Sequence, residues 1–241
     1  MLASNGASQS WSVIVFCYNE AGTVVNVIDQ IKKLLDANRR GLYEIIVVDD
    51  GSTDGSTEKI NAAKKTRPDV IRVVFHERNL GIGRTLIDGY KAAKNENVIG
   101  VPADGQFNVQ EMVPFLDVEE GTFVSFYRLE TQYTTFRTIL SAANKYVNKI
   151  NGIDLKDVNW VKIYKRKEIT AFPWKLHSNL IESELCAKLL LRGNRSIEVL
   201  SYYHSRRSGK SKGASVRVVV QAVRETLKLI FVVREFKHRT K

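Results

Sequence analysis

Along the first half of the chain, unbroken apolar runs alternate with stretches whose apolar residues recur at three- and four-residue intervals. The runs are SVIVFCY (12–18), EIIVVDD (44–50), IRVVFH (71–76), VIGVPAD (98–104) and TFVSFYR (122–128). Rich in Val and Ile and without polar alternation, they predict strands buried on both faces, and so a mostly parallel sheet covered by helices. Between the first two runs, Val24, Val27, Ile28, Ile31, Leu34 and Leu35 mark one face of an amphipathic helix. The second half predicts a basic helical segment over 136–150, a helix around ESELCAKLLLRG (182–193), a strand IEVLSYYH (197–204) and a basic loop SRRSGKSKG (205–213). DVNWVKIYKRKE (157–168) receives no element. From Ser215 to about Lys237 the pattern is that of a basic amphipathic helix, a type that lies in membrane interfaces or packs on its own domain. Arg217, Gln221, Arg224 and Lys228 fall on one side, with Val216, Val219, Val220, Val223, Leu227 and Ile230 opposite. The expected organisation is one α/β domain over 1–213, an open, mainly parallel sheet flanked by helices, followed by that helix over 214–241.

Polar residues collect where the runs end: Tyr18, Asn19 and Glu20 after the first, Asp49 and Asp50 after the second, Asp104 after the fourth and Arg128 after the fifth. In open parallel sheets ligands bind beyond the carboxyl ends of the strands, so these side chains are candidates for one shared site. Taken singly, Ser52, Thr53 and Asp54 are equally well explained as turn and cap residues.

Charge narrows the partners. Lys and Arg number 37 against 26 Asp and Glu in 241 residues, a net charge of +11, which favours an anionic partner such as a phosphorylated substrate, nucleic acid or an acidic membrane face. A nucleic-acid role would interleave aromatic residues with the basic loop, and SRRSGKSKG has none. No stretch approaches the roughly 18 consecutive apolar residues of a membrane span. Cys17 and Cys186 do not make the disulfide framework of a small secreted domain, and the first residues lack a signal-peptide pattern, so a reducing cytoplasmic setting is expected.

Two look-alike motifs fail on chemistry. DGSTDGSTEKIN (50–61) places Asp50, Ser52, Asp54 and Gly55 like a calcium loop, but Asn61 stands where a bidentate Glu is required. GIGRTL (81–86) has Leu86 in place of the third glycine of a dinucleotide fingerprint. VPADGQFN (101–108) sets Asp104 and Gln106 two residues apart beyond a strand, hard oxygen donors suited to Mg2+ or Mn2+ when a diphosphate completes the shell, or equally to an Asp-Gly turn. His177, His204, Trp160 and Trp174 read as packing or surface residues.

The ordered set YNEAGTV, EIIVVDDGSTDGS, ERNLGIGRTLIDGYKAA, PADGQF, DVNWVKIYKR, ESELCAKLLLRG and RRSGKSK resembles glycosyltransferase family 2 over roughly residues 11–213. More narrowly it is similar to the branch holding dolichyl-phosphate mannose synthase and bacterial polyprenyl-phosphate glycosyltransferases. The resemblance implies a GT-A fold and a nucleotide-sugar site made by Phe16, Tyr18, Glu20, Val48, Asp50, Ala103, Asp104, Gln106, Arg128, Arg206 and Lys212. It implies metal ligation by Asp104 and Gln106, with Mg2+ or Mn2+, and an acceptor-phosphate site at Arg137 and Ser141. Asp104, Arg128 and Asp157 are the implied catalytic residues. Asp49 is expected to buttress its turn. Where that branch has Asp-Ala-Asp, this chain has Pro102 for the first Asp, which removes one side-chain ligand.

The implied reaction is an inverting transfer from a GDP- or UDP-linked sugar to a polyprenyl phosphate at the cytoplasmic face of a membrane, with a membrane-anchoring protein as a candidate partner. A phosphate acceptor is already anionic and needs little base catalysis. A glycan hydroxyl acceptor would need one, for which Asp157 and Glu184 are candidates, unless they are ion-pair partners of Lys162 or Arg192. The third reading is a weakly active nucleotide-sugar-binding protein.

Overall fold

The computed structural model describes residues 8–38, 42–128, 146, 148–178, 180–202 and 216–239, with the backbone alone over 216–223. Arg137, Ser141, Arg206 and Lys212 lie outside the described residues, as does His204. The elements are β1 (Trp11–Cys17), α1 (Val24–Ala37), β2 (Tyr43–Asp49), α2 (Ser56–Thr66), β3 (Ile71–Phe75), α3 (Ile82–Ala92) and β4 (Asn97–Pro102), then a 3-10 turn (Val109–Phe115) and β5 (Thr122–Tyr127). After these come β6 (Lys162–Lys165), α4 (Arg166–Ile169), α5 (Ile181–Leu191), β7 (Arg195–Leu200) and α6 (Val216–Arg239).

One seven-stranded sheet has the order β3-β2-β1-β4-β6-β5-β7. Every neighbouring pair is parallel except those of β6, which runs antiparallel to both β4 and β5. The carboxyl ends of the other strands therefore share one edge. The start of β6 meets that edge from the opposite direction.

The unbroken apolar runs have a direct structural cause. Successive strand residues point to opposite faces, and both faces are covered. Val13, Val15, Ile45 and Val47 join α1 in one buried cluster. Ile14, Ile46 and Val48 join α3 and α5 in the other. At the rate of about 25 cal/mol per Å² of apolar surface removed from water, the two clusters hold the sheet in place.

Two features depart from the sequence reading. Strand β6 was not expected, because Lys162 and Lys165 at its ends do not look like residues of a buried strand, yet both are buried. Their ammonium groups find oxygen: Lys162 donates to the carbonyls of Val158 and Trp160, and Lys165 to Gln9 Oε1 and Glu96 Oε1. A buried lysine is tolerated when it is hydrogen-bonded in this way. In α6 the buried stripe is Leu229, Val232 and Val233, with Phe236 packed against the core, a spacing of three, four and seven. Leu227, placed on the apolar side opposite the basic residues, is 63% exposed, and Phe231 is 69% exposed. The helix is fastened further by the Lys175–Glu235 ion pair at 2.6 Å and by Phe172 packing edge-on to Phe236.

Candidate functional site

Main-chain hydrogen bonds continue the sheet past its last residues and bring the strand ends together. Asp50 N donates to Cys17 O, Ala103 N to Phe16 O, and His76 N to Asp49 O. The stretches that follow β1, β2, β3 and β4 thus leave the sheet side by side, and Tyr18, Asp50 and Asp104 follow three adjacent strands.

The YNEAG and DDGSTDGST stretches are sewn to each other. Asn19 N donates to Ser52 Oγ, Glu20 N to Ser56 Oγ, Ala21 N to Asp54 Oδ2, and Thr53 N to Asn19 Oδ1. Asn19 sits at φ 58, a left-handed conformation that Asn accepts more readily than most residues. Asp49 accepts from Ser52 N and the Thr57 hydroxyl, the buttressing expected of it. Ser52, Asp54 and Ser56 are structural at this rim.

Asp50 faces the other way. Its Oδ1 accepts from Leu80 N at 2.8 Å and lies 2.7 Å from His76 Nδ1, while Oδ2 accepts from Gly81 N at 2.9 Å. The carboxylate is buried and holds the 76–81 segment, which leads into α3. Gly51 permits this approach: it has φ +72, and a Cβ there would lie 2.5 Å from the Arg78 carbonyl carbon.

The other half of the rim forms where β5 and β7 end beside the start of β6. Tyr127 pairs with Leu200, so Arg128 and Ser201 leave adjacent strands together. Arg128 Nε–H donates to Asp157 Oδ2 at 2.9 Å, and its guanidinium carbon stands 4.2 Å from the centroid of the Trp160 ring. The two charged side chains are 21% and 14% exposed. Among the described residues neither Nη group of Arg128 has an acceptor. Trp160 Nε1–H donates to Ser201 Oγ at 3.0 Å. Phe107 meets the Trp160 ring edge-on at 6.2 Å, which ties this group to the PADGQF turn. In that turn Asp104 Oδ1 accepts from Gln106 N, and Gly105 has φ 72.

The structure thus gathers Tyr18, Glu20, Asp50, Ala103, Asp104, Gln106, Arg128 and Asp157 at one edge of the sheet. Val48 does not reach the surface of that edge, since it is fully buried in the core among Ile14 and Ile46. The Phe16 carbonyl is occupied by Ala103 N. Glu184 is fully buried in an ion pair with Lys188 and accepts from Lys175 N and Leu176 N. It is a structural group, though its partner is neither Lys162 nor Arg192. Sequence reasoning passed over His76 and Ser201 and read Trp160 as a packing or surface residue; a His directly at a strand end was the signal available for the first.

Residues 12–185 match the sequence profile of Glycosyl transferase family 2. The chain belongs to that family. Its relatives include the undecaprenyl-phosphate 4-deoxy-4-formamido-L-arabinose transferase of Aeromonas hydrophila subsp. hydrophila, 32% identical over 165 residues that make up 66% of this chain and 50% of that protein. The transferase of the same description from Yersinia pestis (strain Pestoides F) is 27% identical over 214 residues, 86% of this chain and 64% of that protein. The chain therefore spans between half and two thirds of the length of these relatives. Among solved structures, glucosyl-3-phosphoglycerate synthase from Mycobacterium tuberculosis in complex with Mn2+, UDP and glucosyl-3-phosphoglycerate superposes with a TM-score of 0.62 at 18% identity, covering 95% of this chain and 80% of that one. Mannosyl-3-phosphoglycerate synthase from Rubrobacter xylanophilus gives 0.63 at 18% identity, covering 91% and 74%. These likenesses establish the GT-A fold for this family 2 member.

Burial pushes the Cys17 thiol of the family 2 rim up to about 12, with the Asp49 carboxylate adding to the rise. It stays protonated and is no thiolate nucleophile. No group of three His, Cys, Asp or Glu side chains able to hold a metal occurs among the described residues. At the PADGQF turn the rim offers one carboxylate, Asp104, beside one carboxamide, Gln106. That pair suits a hard divalent cation held jointly with substrate phosphates rather than in a protein cage.

Proposed function

We propose that this chain is an inverting glycosyltransferase that moves a sugar from a GDP- or UDP-linked donor to a polyprenyl phosphate. The observation that carries the reading is the arrangement at the carboxyl edge. A guanidinium fixed by Asp157 and Trp160, with both Nη groups lacking an acceptor among the described residues, is joined through Phe107 to the Asp104–Gln106 turn. A planar arginine fork held in this way matches phosphate oxygens. The Aeromonas and Yersinia relatives, named for undecaprenyl-phosphate transfer, support the acceptor class.

In this reading Tyr18 and Glu20 line the nucleoside end of the pocket and Asp50 holds its wall through the 76–81 segment. Ala103, Asp104 and Gln106 lie along the donor diphosphate, and Asp104 and Gln106 would ligate Mg2+ or Mn2+. A bound divalent cation supplies charge neutralisation of the departing nucleoside diphosphate. Arg128 adds to that neutralisation in a site where fixed donors need no reorganisation. Arg206 and Lys212 are assigned the same task, and Arg137 and Ser141 the acceptor phosphate. The acceptor attacks the anomeric carbon from the face opposite the leaving group, so the configuration inverts.

The acids weighed for a hydroxyl acceptor favour the phosphate instead. Glu184 is sealed in its pair with Lys188, and Asp157 is engaged by Arg128. An acceptor that arrives ionised needs neither.

The peripheral membrane placement draws on α6. Its outward Leu227 and Phe231 are exposed, with Arg224, Lys228 and Arg234 exposed on the same stretch, a composition suited to an anionic lipid interface. No described helix is long and apolar enough to cross a membrane. The proposal needs no anchoring protein.

Thermal-shift titration with GDP, UDP and their sugars, with and without Mn2+, selects the donor. Release of the nucleoside diphosphate on adding undecaprenyl phosphate is the expected turnover. Release that depends on a glycan hydroxyl, or donor binding with no release under any acceptor, would overturn the reading.

A further inference from the structure

The indole of Trp160 touches both halves of the rim and belongs to neither expected set of ligands. It lies under the Arg128 guanidinium at 4.2 Å, meets Phe107 edge-on at 6.2 Å, and donates from Nε1 to Ser201 Oγ at 3.0 Å. Ser201 is itself fixed, being buried and donating its N–H to Tyr127 O at 2.8 Å. Tyr127 is the residue immediately before Arg128. The indole, the serine and the arginine thus form a closed circuit across the ends of β5 and β7, with Phe107 leading from it to Asp104 and Gln106.

Arginine is a long side chain with substantial rotamer entropy to lose on immobilisation. Asp157 fixes only one edge of the guanidinium, through Nε, and leaves rotation of the group about that contact open. An aromatic face removes that freedom, because a cation is attracted to the ring quadrupole and a planar guanidinium stacks flat on it.

We propose that Trp160 is a positioning residue that sets the plane of Arg128, with Ser201 locking the indole. Together they aim the paired Nη donors at a diphosphate lying along the Asp104–Gln106 turn. The inference rests on the reading of the rim as a phosphate site. It adds a determinant that lies between the two ligand groups and touches phosphate itself at no point.

The test uses the full chain and five variants: Trp160→Leu, Trp160→Phe, Ser201→Ala, Arg128→Ala, and Trp160→Leu combined with Arg128→Ala. Calorimetric titration with UDP, GDP and inorganic pyrophosphate in the presence of Mn2+ gives the affinities, with uridine and guanosine as phosphate-free controls. Trp160→Leu is expected to weaken diphosphate and pyrophosphate binding about tenfold, equivalent to about 1.4 kcal/mol, and to leave the nucleosides unchanged. Trp160→Phe keeps an aromatic face and should stay within about threefold of wild type. Ser201→Ala should fall between the two. On the Arg128→Ala background, Trp160→Leu should add nothing. An equal loss on that background, or an equal loss of nucleoside affinity, would overturn the proposal.

A second arm needs no ligand. In wild type the Arg128 Nε–H resonance should be displaced by the indole ring current, and Trp160→Leu should remove that displacement, leaving the shift set by the Asp157 hydrogen bond. An unmoved resonance overturns the positioning role. If the wild type binds no diphosphate at all, the donor reading fails, and this second arm still decides whether Trp160 orients Arg128.

Discussion

His76 stands between two aspartates, with Nδ1 2.7 Å from Asp50 Oδ1 and Nε2 3.1 Å from Asp88 Oδ2. Each ring nitrogen faces a carboxylate oxygen. The imidazole thereby links the end of β3 to Asp88 on α3, and Arg84 closes the chain by donating to Asp88 at 2.6 Å. Replacing His76 with Ala should lower unfolding stability by about 1–3 kcal/mol, the cost of leaving buried partners unmet. Urea denaturation measures it. His76→Gln, which keeps one donor, should lose less.

Asp50 holds the same segment from below. Its replacement by Ala strands the N–H groups of Leu80 and Gly81, so Asp50→Ala should both destabilise the chain by about 1–3 kcal/mol and raise the donor's apparent binding constant. Calorimetry on the folded fraction separates the two effects. Donor affinity unchanged at saturating folding would confine Asp50 to the scaffold.

Gly51→Ala carries two penalties. A left-handed backbone alone costs an L-residue about 1–2 kcal/mol, and the new Cβ would lie 2.5 Å from Arg78 backbone, which cannot yield as a side-chain tip would. A lowered Tm, with donor binding weakened beyond what the unfolded fraction explains, is expected.

Glu184 and Lys188 test the opposite class of residue. Both are buried, and Lys188 also donates to Pro173 O. Glu184→Gln leaves an uncompensated buried ammonium and should cost about 3–5 kcal/mol, whereas Glu184→Leu with Lys188→Met should recover much of it. The donor KM of the folded protein should stay put. A specific loss of turnover in a stably folded double variant would return Glu184 to the chemistry.

Acid should loosen the seam between YNEAG and DDGSTDGST through Asp54. Burial works against its ionised form, but hydrogen bonds from the Ser56 hydroxyl and from the N–H groups of Ala21 and Ser56 outweigh this and hold its pKa below the usual 3.8. A group whose pKa is lowered by folding contributes stability that is fully present above its unfolded value and is lost as pH falls through the folded one. Wild type and Asp54→Asn should therefore differ at neutral pH and converge in strong acid. Parallel pH–stability curves would show that the carboxylate charge contributes nothing.

How much of this the residues announced depends on where the partner lies. The sheet was legible because Val13 and Val15 enter one core and Ile14 the other, and only a strand covered on both sides needs every position apolar. Strand β6 was not, since Lys162 and Lys165 look like surface residues until the carbonyls of Val158 and Trp160, and Gln9 and Glu96, are brought to them by the fold. The Asp49–Asp50 pair advertised chemistry at a strand end, but the division of labour between them rests on His76, Leu80 and Gly81, which only the β2–β3 pairing places within reach. Trp160 was read as packing because nothing in the linear order sets it beneath Arg128.

The placement of β6 between β4 and β5 has a consequence for biosynthesis. These two strands are close in sequence yet do not pair; Lys162–Lys165 lies between them. A ribosome-bound chain that has not yet exposed those residues has no Trp160 in position and no finished rim, so the proposed donor site cannot form before they emerge. Arrested nascent chains probed by limited proteolysis would reveal protection of the rim arising abruptly once this wedge, and β7 after it, have left the exit tunnel, and a gradual rise would contradict it.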